Sequence, residues 1–217
     1  ASNNTGLGHE VFDDLTEGDQ NTGVGSLALT KLTTGTNNTG IGTVALTALT
    51  TGSYNTAVGD NSLAATTTGD FNVGIGANAL LSNTTANNNV AVGTAALKLN
   101  TTGDSNTAMG NNALDANTTG ASNTGLGKGA LTSNTTASNN TAVGKEALKA
   151  NTTGNTNTAV GAEALDAVVS NNDNTAVGYR ALSANTTGSN TAMGSEAMQF
   201  TTTGANNVGI GVHALRM

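Results

Sequence analysis

An Asn-Thr-Ala-Val-Gly motif, or a close variant, recurs thirteen times in this chain of 217 residues. It closes on Gly8, Gly25, Gly42, Gly59, Gly76, Gly93, Gly110, Gly127, Gly144, Gly161, Gly178, Gly194 and Gly211. Every step is seventeen residues except Gly178 to Gly194, which is sixteen. A fixed period of this length means one structural unit stacked many times. The repeat runs from the first residues to the last, so 1–217 reads as a single array with no linker and no second domain.

With the unit numbered from its Asn, four columns stand out. Position 1 is Asn in every copy, including Asn21, Asn38, Asn55, Asn106, Asn123, Asn140, Asn157 and Asn174. Position 3 is only Ala or Gly, as at Ala57, Ala91, Ala108, Ala142, Ala159 and Ala176. Position 4 is always aliphatic or Met, as at Val58, Val92, Val143 and Val160. Position 9 is a second apolar column that includes Leu97, Leu114, Leu148 and Leu165. Thr-Thr at positions 13 and 14, then Gly or Ala at 15, closes most units.

Residues 2 and 4 of a strand face one way and residues 3 and 5 the other. Glycine and Asn-rich flanks suit tight corners. The predicted fold is therefore all-β: a parallel β-solenoid of the β-roll type, with about thirteen 17-residue coils stacked ~4.8 Å apart. Stacked Asn side chains at position 1 form a ladder of amides in which each donor finds an acceptor. The Val and Leu columns are expected to point inward, with position 6 outward. The alternative is a short helical turn in each coil, since Lys145-Glu146-Ala147-Leu148-Lys149-Ala150 is made of good helix formers. Such segments are too short to be stable as isolated helices.

Two large apolar side chains per coil make a thin core, which argues for several chains pooling their columns. Position 3, restricted to Ala or Gly, marks a place where another backbone comes close. That neighbour is either the opposite wall of the same coil or a strand of another chain, and the second case predicts a homotrimer.

The net charge of −7 and pI near 4.5 argue against nucleic acid as a partner. The absence of Cys excludes a disulfide framework and thiolate metal sites. No apolar run is long enough for a membrane span.

The motif followed by Ala-Leu resembles the head repeats of trimeric autotransporter adhesins. It is closer still to the Asn-Thr-Ala-x-Gly-Tyr-x-Ala-Leu-x-x-Asn-Thr-Thr-Gly arrays of surface and tail-fibre-like proteins that end in an endosialidase-type chaperone domain. The stretch Gly178-Tyr179-Arg180-Ala181-Leu182-Ser183-Ala184-Asn185-Thr186-Thr187-Gly188 carries that resemblance. It implies an extracellular fibre or adhesin shaft on a cell or virion surface, with a surface receptor or glycan among its partners. The autoproteolytic chaperone domain of those proteins is absent from this sequence.

The chemistry-bearing residues are few. His9 and His213 fall in the first and last coils and cannot meet within one chain. Asp60, Asp70, Asp104, Glu146, Glu163 and Glu196 occupy variable positions 6, 7 and 16 and read as a solvated face. Glu10, Asp13, Asp14, Glu17 and Asp19 cluster in the first coil, where they discourage aggregation. Neither calcium-binding β-roll nor EF-hand spacing is present. The reading is a structural protein, not an enzyme, without metal or cofactor. Ice binding is the alternative, raised by the Thr columns. Thr at positions 13 and 14 would point to opposite faces of a strand, and no Thr-x-Thr column occurs. The array begins mid-unit at Ala1 and stops mid-unit at Met217, and its matching end columns predict continuation in a longer protein or head-to-tail stacking into a filament.

Overall fold

A computed structural model describes residues 1–216; Met217, where the last unit stops, lies outside them. The chain is a parallel β-solenoid. Thirteen three-residue strands, from β1 (Thr5–Leu7) to β13 (Val208–Ile210), form one sheet in strict sequence order. Every neighbouring pair is parallel and in register, so that Thr141 pairs with Thr158 and Val143 with Val160. At ~4.8 Å per coil the stack is about 60 Å long.

The strands are only part of what joins one coil to the next. Backbone hydrogen bonds cross between coils around the whole circumference. Thr141 N–H donates to Asn157 O (2.8 Å), Leu148 N–H to Ala164 O (3.0 Å), Thr118 N–H to Thr135 O (2.8 Å) and Ser122 N–H to Asp104 O (3.0 Å). Corners thus behave like strands in their pairing, which leaves few backbone groups for solvent to satisfy.

The segment expected to be either coil or helix is not helical. Its residues alternate between hands: Glu146 has φ 57° and Leu148 has φ 51°. The same pair of left-handed positions, 7 and 9, recurs in every coil, and a third lies at position 17. Each left-handed non-Gly residue costs ~1–2 kcal/mol. Here the cost is offset because that backbone turns the N–H along the stack and the Leu side chain into the core. Two such residues within six prevent an α-helical turn. Gly144, at φ 135°, closes the strand where no other residue fits: a Cβ there would lie 2.5 Å from Gly161 O.

The core is built from positions 3, 8 and 9, joined at position 12 by Leu32, Leu49 and Val168. Leu97, Leu114, Leu148 and Leu165 are fully buried, as are Ala57, Ala91, Ala108, Ala142, Ala159 and Ala176. The expected orientation of position 4 is therefore reversed. Val58, Val92 and Val143 are half-buried and Val160 is exposed, all on the outer face of the sheet. The interior is too narrow for Val: a Cβ on Gly40 would sit 3.2 Å from Leu29 Cδ1 of the opposite wall. Only Ala or Gly fits between, so strand alternation places positions 2 and 4 outside. The close neighbour of position 3 is the same chain's opposite wall, not another chain.

The sixteen-residue coil keeps the sheet intact. Thr175 still pairs with Thr191 and Val177 with Met193. The missing residue is absorbed in the corner between Asn185 and Asn190, where Asn190 Nδ2 donates to Thr187 Oγ1 (3.1 Å).

Candidate functional site

The Asn column at position 1 forms the amide ladder. Asn38 donates to Asn21 Oδ1 from both its backbone N–H (2.9 Å) and its Nδ2 (3.1 Å), and its Nδ2 also donates to Gly52 O (2.9 Å). Asn55 repeats this on Asn38. Asn123, Asn140, Asn157 and Asn174 do the same, each on the coil before, and Asn106 does so on Asn89. These side chains are fully buried and spend their hydrogen-bonding capacity on the coil itself. They form a structural spine without free groups for a ligand.

Three further ladders were not anticipated. At position 12, Asn100, Asn117, Asn134 and Asn151 each donate Nδ2 to the Oδ1 of the preceding coil's Asn, at 3.0, 2.8, 2.7 and 3.1 Å. At position 13, Thr hydroxyls donate to the carbonyl of the next coil's Thr, as from Thr118 Oγ1 to Thr135 O (3.0 Å). At position 16, a side chain accepts the backbone N–H of the coil before. Asp70 accepts from Ser53 (2.6 Å) and Asp104 from Asn87 (2.6 Å). Asp70 and Asp104 are thus backbone caps as well as surface charges. The signal was in the sequence: position 16 is rich in Asp, Asn and Ser, the residues whose short polar side chains cap backbone groups.

Several of the other charged side chains pair locally. Glu163 and Arg180, at position 7 of successive coils, meet at 2.7 Å. Glu196 takes Arg216 at 2.9 Å and His213 at 3.4 Å. Glu146 holds Lys149 at 3.1 Å, and Asp60 accepts from Asn61 Nδ2 at 2.8 Å. His9 contacts Glu10, and the two histidines lie at opposite ends of the stack. In the first coil, the Ser2 backbone N–H and hydroxyl donate to Asp19 and hold its carboxyl below the ordinary carboxylate range. Among the described residues no three His, Cys, Asp or Glu side chains gather as a metal site requires. None of these residues forms a helix long and apolar enough to cross a membrane. A pocket of about 300 Å³, lined in part by Met198, Phe200, Asn207 and Leu215, opens on the C-terminal coil.

The surface that stands apart is the outer face of the sheet. It carries two files of side chains. Position 2 supplies Thr in ten strands and Val73, Val90 and Val208 in the others. Position 4 supplies Val, Ile, Leu or Met throughout. Along a strand the files lie ~6.6 Å apart, and within a file residues repeat every ~4.8 Å. No charged residue interrupts either file over thirteen strands. Ile75, Met109 and Met193 are 40%, 46% and 45% exposed. The face is thus an uncharged strip with hydroxyls in most of one file and half-buried to exposed apolar side chains in the other.

The chain matches no family model, and no curated protein is significantly similar to it.

Proposed function

We propose that this chain is a shaft or head segment of an extracellular fibre on a cell or virion surface, and that it works by spanning distance and presenting surface, not by catalysis. The observation that supports this best is the use of polar groups. Four ladders of Asn, Thr and short capping side chains run along the stack and tie coil to coil. A chain built this way resists local opening, because removing one coil costs bonds on both sides of it. Such uniformity suits a spacer whose length is set by repeat number. Copies of the chain associate with one another in this reading, with a surface receptor or glycan as their target, and rods of this kind stack end to end into filaments. Negative-stain electron microscopy of the native material tests it: rods or filaments of constant width are expected, and separate compact particles at all concentrations would refute it.

One observation favours a second reading. The position-2 file repeats Thr in ten of thirteen strands at the strand spacing, and a regular file of hydroxyls and methyls can order water. Thermal hysteresis and faceting of ice crystals test that reading directly.

A further inference from the structure

We infer that the Thr/aliphatic face formed by positions 2 and 4 is the surface through which copies of this chain pack on one another. The inference rests on the fibre reading above and specifies its interface. The Ala and Gly of position 3, which the sequence offered for that role, are consumed by the chain's own core.

Three observations carry it. The first is area. A strip about 60 Å long and about 10 Å wide presents about 600 Å² per copy. Two such strips bury about 1,200 Å², the lower end of what stable complexes use. The second is chemistry. Both files are uncharged, while charges begin at the neighbouring positions 6 and 7, with Asp60, Lys128, Lys145, Glu146 and Glu163. An uncharged strip whose margin is mixed polar in the N-terminal half and charged in nearly every coil from Lys128 to Glu196 matches the core and polar rim of a protein interface. The third is period. Two sheets stacked face to face lie ~10 Å apart with interdigitating side chains. A second copy has the same coil spacing, so every contact made by one coil is repeated by the next. A partner of different period falls out of register within a few coils.

The composition of the position-4 file separates this occupant from ice. Val143, Leu126, Met109 and Ile75 differ in reach and shape. A rigid lattice needs identical heights, whereas a facing side chain adapts, and Met adapts best.

Sedimentation velocity on the full chain tests the assignment, together with two variants. One carries Val143→Glu, Val160→Glu and Val177→Glu on this face. The other carries Thr102→Glu, Thr119→Glu and Thr136→Glu at exposed position 14. The expected result is an oligomer for the wild-type chain and for the position-14 variant, and a folded monomer with unchanged circular dichroism for the face variant. Should the glutamates disturb folding, Val143→Thr, Val160→Thr and Val177→Thr keep β-propensity and are expected to weaken association by up to roughly 1,000-fold, from the loss of six buried methyls across two copies. An oligomer that survives the face substitutions overturns the interface while leaving the fibre reading in place. A wild-type chain that stays monomeric at high concentration overturns both, and thermal hysteresis abolished by the same face variant would then assign the face to ice.

Discussion

Asn151 and Val168 meet where a ladder breaks. Asn151 donates its Nδ2 to Asn134 Oδ1 (3.1 Å) and to Gly154 O (2.9 Å), but its own Oδ1 is buried without a partner. The next coil places Val168 where the preceding coils place Asn. A buried acceptor left unpaired costs about 1–3 kcal/mol. Val168→Asn is therefore expected to leave the melting temperature within roughly 2–4 °C of wild type, because the regained amide bond offsets most of the lost Val packing while the unpaired Oδ1 moves to position 168. Leu165→Asn, three residues away in the apolar column, is expected to lower the melting temperature by more than that. Equal losses for both substitutions in a thermal melt would show that the column gains nothing from its amides.

Ser62 and Gly74 give a second coupled pair. Ser62 stands where most coils have Ala, and its Oγ donates to Gly74 O (2.8 Å). A Cβ on Gly74 would sit 2.7 Å from that Oγ. Gly74→Ala alone is expected to cost about 1–3 kcal/mol by overpacking. Combined with Ser62→Ala it restores the Ala–Ala arrangement of other coils, and most of the loss should disappear. A double-mutant cycle measures the coupling; additive losses would contradict the geometry.

Asp115 and Asp166, both at position 10, set a pH dependence. Burial pushes each carboxyl above the ordinary carboxylate range, and Lys98 beside Asp115 opposes only part of that. Each also has a buried Oδ1 without a hydrogen bond. A raised native pKa means that the folded state binds more protons through the titration window, so stability falls as pH rises through it. Asp115→Asn with Asp166→Asn is expected to be more stable than wild type at neutral pH. The gap should narrow on acidification and close below the carboxylate range, where the wild-type groups are protonated in both states. A gap that widens on acidification would contradict the assignment.

The reversal of positions 3 and 4 has its own test. Ala142 is buried against the Leu wall and Val143 lies outside. Ala142→Leu together with Ala159→Leu should abolish the folded β signal in circular dichroism. Val143→Asp should leave it intact, whereas Leu148→Asp should remove it, because an unpaired carboxylate in the core has nothing to compensate it. Folded chains carrying both Leu substitutions would restore position 3 to the surface.

The repeat made the stack, the strand and the Asn spine legible, because in-register stacking turns each sequence column into a physical file. It did not reveal which side of the strand is inside. Val is more apolar than Ala, so hydrophobicity pointed inward at position 4, while the available width decided otherwise. Size matching held the needed signal: Val11 replaces Ala at position 8 in the coil where Gly6, and its neighbour Gly23, stand opposite, as Ser62 does opposite Gly74. The left-handed Leu at position 9 was hidden for another reason. Bulky residues rarely take positive φ, and here the stacked coils, not local preference, hold Leu148 and its counterparts there. The outer face stayed unread because its Thr and aliphatic files belong to different columns and become one surface only once both are known to point outward.

The most direct measurement is the growth of distance with coil number. The chain has no Cys, so pairs of spin labels are introduced without background at position 14, where Thr34, Thr51, Thr119 and Thr153 are exposed. Pulsed dipolar spectroscopy on labelled chains diluted into unlabelled ones then reads Thr34–Thr119, Thr51–Thr153 and Thr34–Thr153, which are five, six and seven coils apart. The stack predicts about 24, 29 and 34 Å, a rise of ~4.8 Å for each coil. Distances that level off or shorten with coil number would contradict it.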